Sequence, residues 1–176
     1  MKKLVLLLII LLVASQAYGY QSLREVYDNA EPGDGYLKYI VLDPELEYAG
    51  DLITSYRDTV RIIGNGAIIH AVSSNAISAN RTMLDVSGCV FVDGISAITY
   101  QSGSSGKIFN NTIVGFSESG IKIDHPNLNV NVEVFNNIIT NCQYGIWAIE
   151  EYLPEYIAYN VIHSISGFEY AQLCPS

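Results

Sequence analysis

The chain has 176 residues, 49% of them apolar, with 18 acidic against 9 basic side chains and a formal net charge of −9. That length fits one domain with a sizeable core. The acidic balance argues against nucleic acid, whose binding needs Lys and Arg to displace phosphate counterions, and against anionic membrane surfaces.

Residues 1–19 read as an export signal. Lys2 and Lys3 form the positive start, and residues 4–14 are an apolar run of 11. That run is shorter than the roughly 20 residues a membrane-spanning helix needs. Small residues follow, allowing cleavage after Ala17 or Gly19. The expected organisation is a signal peptide over 1–19 and one domain over 20–176. The expected destination is secreted, either extracellular or periplasmic, with no transmembrane segment after cleavage. Losing Lys2 and Lys3 leaves 7 basic side chains against 18 acidic, a net charge of −11.

Ser22-Leu23-Arg24-Glu25 has the form of a capping box. Leu23, Val26 and Ala30 keep helical spacing as far as the turn cluster Pro32-Gly33-Asp34-Gly35. Such a short helix would cover the open apolar end of a stack of strands. Residues 36–42 alternate in strand fashion, and 52–53 and 60–63 read as further short strands.

From Asn65 onward a phrase recurs. Ile108-Phe109-Asn110-Asn111-Thr112-Ile113 returns as Val134-Phe135-Asn136-Asn137-Ile138-Ile139 and as Ile157-Ala158-Tyr159-Asn160-Val161-Ile162. Weaker echoes surround Asn65 and Asp93. The markers Asn65, Asp93, Asn111, Asn137 and Asn160 are 28, 18, 26 and 23 residues apart. Units of about two dozen residues cannot bury an apolar face alone and must stack. Asn and Asp tolerate the left-handed backbone of a sharp bend, and stacked amides can bond along a ladder. The step of 18 predicts a coil lacking one corner loop, which leaves side-chain orientations between Val86 and Gly106 open.

In the later units a third strand begins at Gly120, Gly145 and Gly167. With a period of two, Ile121, Ile123, Ile146, Ala148, Phe168 and Tyr170 would point inward. Lys122, Trp147 and Glu169 would point outward. An α-solenoid is excluded because no unit holds a long helical apolar stripe.

This pattern resembles the right-handed parallel β-helix of pectate lyases, polygalacturonases and many secreted repeat proteins, over roughly residues 22–170. Asn29-Ala30-Glu31-Pro32-Gly33-Asp34 resembles that family's junction between helix and first coil. Val60-Arg61-Ile62-Ile63-Gly64-Asn65-Gly66 resembles its first full turn. The resemblance implies an all-β, single-stranded parallel β-helix of about five coils with a short N-terminal capping helix. It also implies that substrate would lie along an outward groove.

The outward row Lys122, Trp147 and Glu169 is the expected substrate-binding face, with Thr99 and Asp85 extending it. An indole suits the C–H face of a sugar, and Lys122 suits a uronate carboxylate. The competing reading has Trp147 covered by the corner at 150–155 and Lys122 neutralising Glu169. Asp124, Glu150 and Glu151, on adjacent rungs, would offer oxygen ligands to Ca²⁺. With Lys122 as base, that is the outline of a lyase for acidic polysaccharide; solvated acidic loop residues are the alternative. The residues show no Asp cluster of the polygalacturonase type and no Arg after Arg81, which weighs against an enzyme.

His70 and His163 fall at similar places in separate coils and read as hydrated corner residues. Cys89 and Cys142 read as small core residues, and Cys174 as a third thiol near the end. The expected function is binding of polysaccharide or cell-surface glycan, with no cofactor beyond the Ca²⁺ alternative and no nucleic acid. Three other readings stay open. One is a lyase or hydrolase on acidic polysaccharide. Another is a structural or adhesive surface protein that self-associates through an open C-terminal coil. The last is a piece of a longer β-helix.

Overall fold

The computed structural model describes residues 19–72, 74–124, 131–149 and 155–173. The segment 1–18, the corner residues Glu150 and Glu151, and Cys174 lie outside the described residues. No helix among the described residues is long and apolar enough to cross a membrane.

A first short strand, β1 (Gln21–Ser22), leads into α1 (Leu23–Asp28). Ser22 caps the helix, its hydroxyl accepting from the Glu25 amide at 3.3 Å. Leu23 and Tyr27 on the inner side are buried, so α1 closes the N-terminal end of the core. The Tyr27 hydroxyl pairs with the Asp58 carboxylate and accepts from the Ser55 amide. The Lys38 ammonium donates to the carbonyls of Asp28 and Ala30.

The chain then winds through a parallel β-helix of about six turns, one more than the repeat count suggests. One face is a six-stranded parallel sheet of β2 (Lys38–Val41), β5 (Thr59–Ile63), β8 (Met83–Ser87), β10 (Gly106–Phe109), β12 (Val132–Phe135) and β15 (Tyr156–Ala158). After a sharp bend comes a second face. It holds β3 (Glu47–Ala49), β6 (Ile68–His70), the first part of β9 (Val90–Gln101), the first part of β11 (Thr112–Asp124), β13 (Ile138–Thr140) and β16 (Val161–His163). The third face takes β4 (Leu52–Ile53), β7 (Asn75–Asn80), the later parts of β9 and β11, β14 (Tyr144–Ile149) and β17 (Tyr170–Leu173). Strands β9 and β11 run through the corner and join the second face to the third.

Register explains the core. Ile77, Ile98, Ile121 and Ile146 stand in line on the third face, and all are buried. Ile62, Val86, Ile108 and Val134 do the same on the first. Tyr100 is buried and reaches across the core to donate to the Leu84 carbonyl. Ile123 and Ala148 are inward as expected, but Phe168 and Tyr170 on the last described turn are 67% and 51% exposed.

The bend column differs from the expected one. Asn111, Asn137 and Asn160 form a true amide ladder. Asn137 Oδ1 accepts from the Asn111 amide and Nδ2, and Asn160 Oδ1 accepts from the Asn137 amide and Nδ2. The position before Asn111 belongs to Cys89, whose amide donates to Asn111 Oδ1, 22 residues away. Asp93 is exposed at the corner leading to the third face, with φ 56°. The coil that seemed 18 residues long is therefore 22, and no loop is missing. Asn65 sits in a wider bend, and its side chain donates to the Leu42 carbonyl at 3.4 Å.

Candidate functional site

Parallel pairing of β9, β11 and β14 sets Thr99, Lys122 and Trp147 at one level on adjacent rungs. β7 contributes Ser78 to the same row. The outward pairing of Lys122 with Trp147 is thus a product of register alone. The ammonium lies 4.4 Å from the indole centroid, a cation–π contact. The same ammonium donates to both oxygens of Glu118, at 3.1 and 3.2 Å.

Glu118 and Tyr144 complete the cluster, and the alternation of the strands places neither in the outward row. Glu118 Oε2 also accepts from Ser96 Oγ at 3.0 Å, and Ser96 Oγ meets Ser119 Oγ at 2.8 Å. In a regular strand a residue four before Lys122 would be too distant to pair. The register shift between Phe116 and Ser119 brings it back, since an irregularity shortens and bends the strand. Tyr144 packs against Trp147 with ring centroids 5.1 Å apart and against Phe168 at 6.5 Å. Thr99 is fully buried, and its hydroxyl has no hydrogen-bond partner among the described residues.

Glu169 does not join this row. Trp147 pairs with Ala171, while the Glu169 carbonyl accepts from the Ile146 amide. The reason lies in Gly167, which matches Gln143 and not Gly145: its amide donates to the Gln143 carbonyl at 2.8 Å. A Cβ there would stand 2.7 Å from that oxygen and 2.9 Å from the Tyr144 ring. The glycine marks a close approach before the strand, so the last strand starts later than the pattern implied.

Asp85 is also elsewhere. It belongs to the six-stranded face, where it accepts from the Tyr36 hydroxyl at 2.6 Å and the Lys107 amide at 2.8 Å. Burial, with the Asp85 carboxylate next, pushes the Tyr36 hydroxyl up to about 12. Asp124 pairs along the rungs with Gln101 and Ile149, so its described neighbours supply no second carboxylate. Its expected partners Glu150 and Glu151 lie outside the described residues. Among the described residues no group of three His, Cys, Asp or Glu side chains is placed to hold a metal ion.

His70 bonds Glu47 Oε2 at 2.9 Å and stacks on Tyr20 at 4.1 Å. His163 meets Thr140 Oγ1 and Ser164 Oγ. Cys89 and Cys142 are buried free thiols. Burial pushes the Cys89 thiol up to about 12, which removes it as a nucleophile.

Chemically the third face is a strip of donors, acceptors and rings. At its N-terminal end is an open depression of about 450 Å³ lined by Asp51, Ile53, Ser74, Asn75, Ser78, Asn80 and Gln101. Ser78 at its edge points toward the Glu118–Lys122–Trp147 cluster, beneath which the Ser96 and Ser119 hydroxyls are buried.

Residues 46–172 match the family model described as right handed beta helix region. No curated protein and no solved structure matches the chain. With that match over most of its length and a coiled parallel architecture to go with it, the chain belongs to the right-handed β-helix family.

Proposed function

We propose that this β-helix binds polysaccharide along the outward surface of its third face, with Trp147 as the platform. The observation that carries the reading is the Lys122–Trp147 pair, 4.4 Å apart and tied to Glu118. A ring with an apolar face beside a fixed cation and carboxylate suits a sugar, whose C–H face stacks while its hydroxyls take both bond polarities. The polar depression on the earlier rungs of the same face gives a chain of sugars somewhere to continue.

Binding is favoured over lyase chemistry by the state of Lys122. Its amine is engaged by both oxygens of Glu118 and by the indole face, whereas a general base has to reach the substrate proton. A uronate would also have to displace Glu118, so hydroxyl-rich neutral sugars fit this arrangement better than acidic ones.

The test is a glycan array followed by titration of the best ligand against Trp147→Ala. Loss of a stacked ring should weaken binding about tenfold, with the circular dichroism spectrum unchanged. A parent protein that retains no glycan, or a Trp147→Ala variant that binds as well as the parent, would refute the reading.

A further inference from the structure

The corner that carries the chain from the third face to the six-stranded face plays no part in that reading. On two adjacent rungs it holds an arginine with left-handed backbone: Arg57 after β4, with φ 66°, and Arg81 after β7, with φ 52°. One lies above the other, the Arg57 amide donating to the Arg81 carbonyl at 2.9 Å. The left-handed region disfavours long side chains and suits Gly, Asn or Asp. This chain follows that preference at Asn65, Asp93, Asn110, Asn136 and Asn141. The same corner carries Ser102 on the next rung, with φ 51°. Two stacked arginines therefore hold a strained backbone that the bend does not require of them, and such outliers gather at ligand clamps.

Their charge is also unanswered. Both guanidiniums stand over one ring, Arg57 at 4.8 Å and Arg81 at 5.8 Å from the Tyr56 centroid. All three residues are exposed. Arg24, Lys107 and Lys122 each hold a carboxylate, but among the described residues neither Arg57 nor Arg81 makes an ion pair. The adjacent Asp58 carboxylate is taken by the Tyr27 hydroxyl. Like charges on neighbouring strands repel, and an anion between the two forks relieves that. Guanidinium forks match the oxygens of an oxyanion. Held over the Tyr56 ring, they lose less freedom when it arrives.

We infer that Arg57, Arg81 and Tyr56 bind the sulfate ester of a sparsely sulfated glycan. A sulfate ester offers three oxygens on a tether, enough for two forks at once, where a uronate has two oxygens fixed close to its ring. That the carrier is a saccharide rests on the reading proposed above. Ile53 and Asn80, just before the arginines, and Gln101 line the polar depression of that surface. A chain with a net charge of −9 repels a polyanion, so the sulfate is isolated on an otherwise neutral glycan. Arg81 follows β7, three rungs from Trp147 on β14, about 14 Å along the axis. Neutral units then lie against Lys122 and Trp147, and the charged unit lies at the corner.

The full chain is titrated with oligosaccharides bearing one sulfate, each beside its sulfate-free and uronate-containing counterparts. The sulfated forms should bind about tenfold tighter, an advantage that shrinks as salt is raised. Arg57→Asn and Arg81→Asn should each remove most of it. Both should keep the thermal midpoint level or raise it, because Asn suits the bend. The inference is overturned if sulfate brings no advantage, or if the advantage survives both variants. It is overturned too if the variants' midpoints fall, since the arginines then serve the fold. Tighter binding of uronates, or of a polyglutamate peptide, overturns the choice of ligand. Trp147→Ala with sulfate-free sugars reads the platform alone, whereas the ratio of sulfated to sulfate-free binding reads the corner alone.

Discussion

Asn137 shows what a single amide does inside a coiled stack. Its Oδ1 accepts from the amide and Nδ2 of Asn111, and its Nδ2 donates to Ile108 O, Phe135 O and Asn160 Oδ1. The side chain is buried, so removing it strands donors and acceptors that water cannot reach. Each such orphan costs about 1–3 kcal/mol. Asn137→Ala is therefore expected to lose roughly 3 kcal/mol or more in urea denaturation. Asp93→Asn, at an exposed corner that keeps its left-handed backbone, should change stability by less than about 0.5 kcal/mol. The pair of measurements separates ladder from bend, which sequence similarity alone merged. Both positions carry an Asx residue in a left-handed or sharply bent context. Only Asn137 has another amide directly above and below it.

At the scale of elements, the helix start and most strands are legible in the sequence, and register is not. The Ser22 half of the capping box is present, with the hydroxyl accepting from the Glu25 amide. Ser22→Ala should cost about 1 kcal/mol, seen as a lower thermal midpoint, because α1 covers the core end through Leu23 and Tyr27. Strand β11 shows the opposite case. Its irregularity between Phe116 and Ser119 leaves no mark in an apolar–polar alternation, yet it turns Glu118 toward Lys122. Glycines misled in a similar way. Gly145 and Gly167 look alike in sequence, but Gly167 is fitted to the Tyr144 ring two positions earlier in the rung. Counting from it displaced Glu169 from the Trp147 row. Cys89 is illegible for a related reason: a thiol occupies an amide's place in the column, and Asp93 four residues on has the residue type of the marker.

For the whole molecule, each turn is stabilised by the turns on either side. A central residue has two such neighbours and an end residue has one covering layer fewer. Ile98 is buried between Ile77 and Ile121, whereas Ile162 on the last described turn is partly exposed. Ile98→Ala should cost about 2–5 kcal/mol and Ile162→Ala about 1 kcal/mol, measured by chemical denaturation of the two variants. The sequence by itself determined that this chain coils. Its repeat of about two dozen residues, alternating apolar positions and bends at Asn, Asp and Gly allow no other way to bury so many short strands. It also determined that Lys122 and Trp147 face outward, because a strand's period of two is a local property. Tertiary structure alone decided which residues share a rung. Rungs are aligned by hydrogen bonds between residues about two dozen apart, and one bulge or one widened bend shifts everything after it. That alignment brought Glu118 to Lys122, removed Glu169 from their row, and stacked Arg57 on Arg81 beside Tyr56.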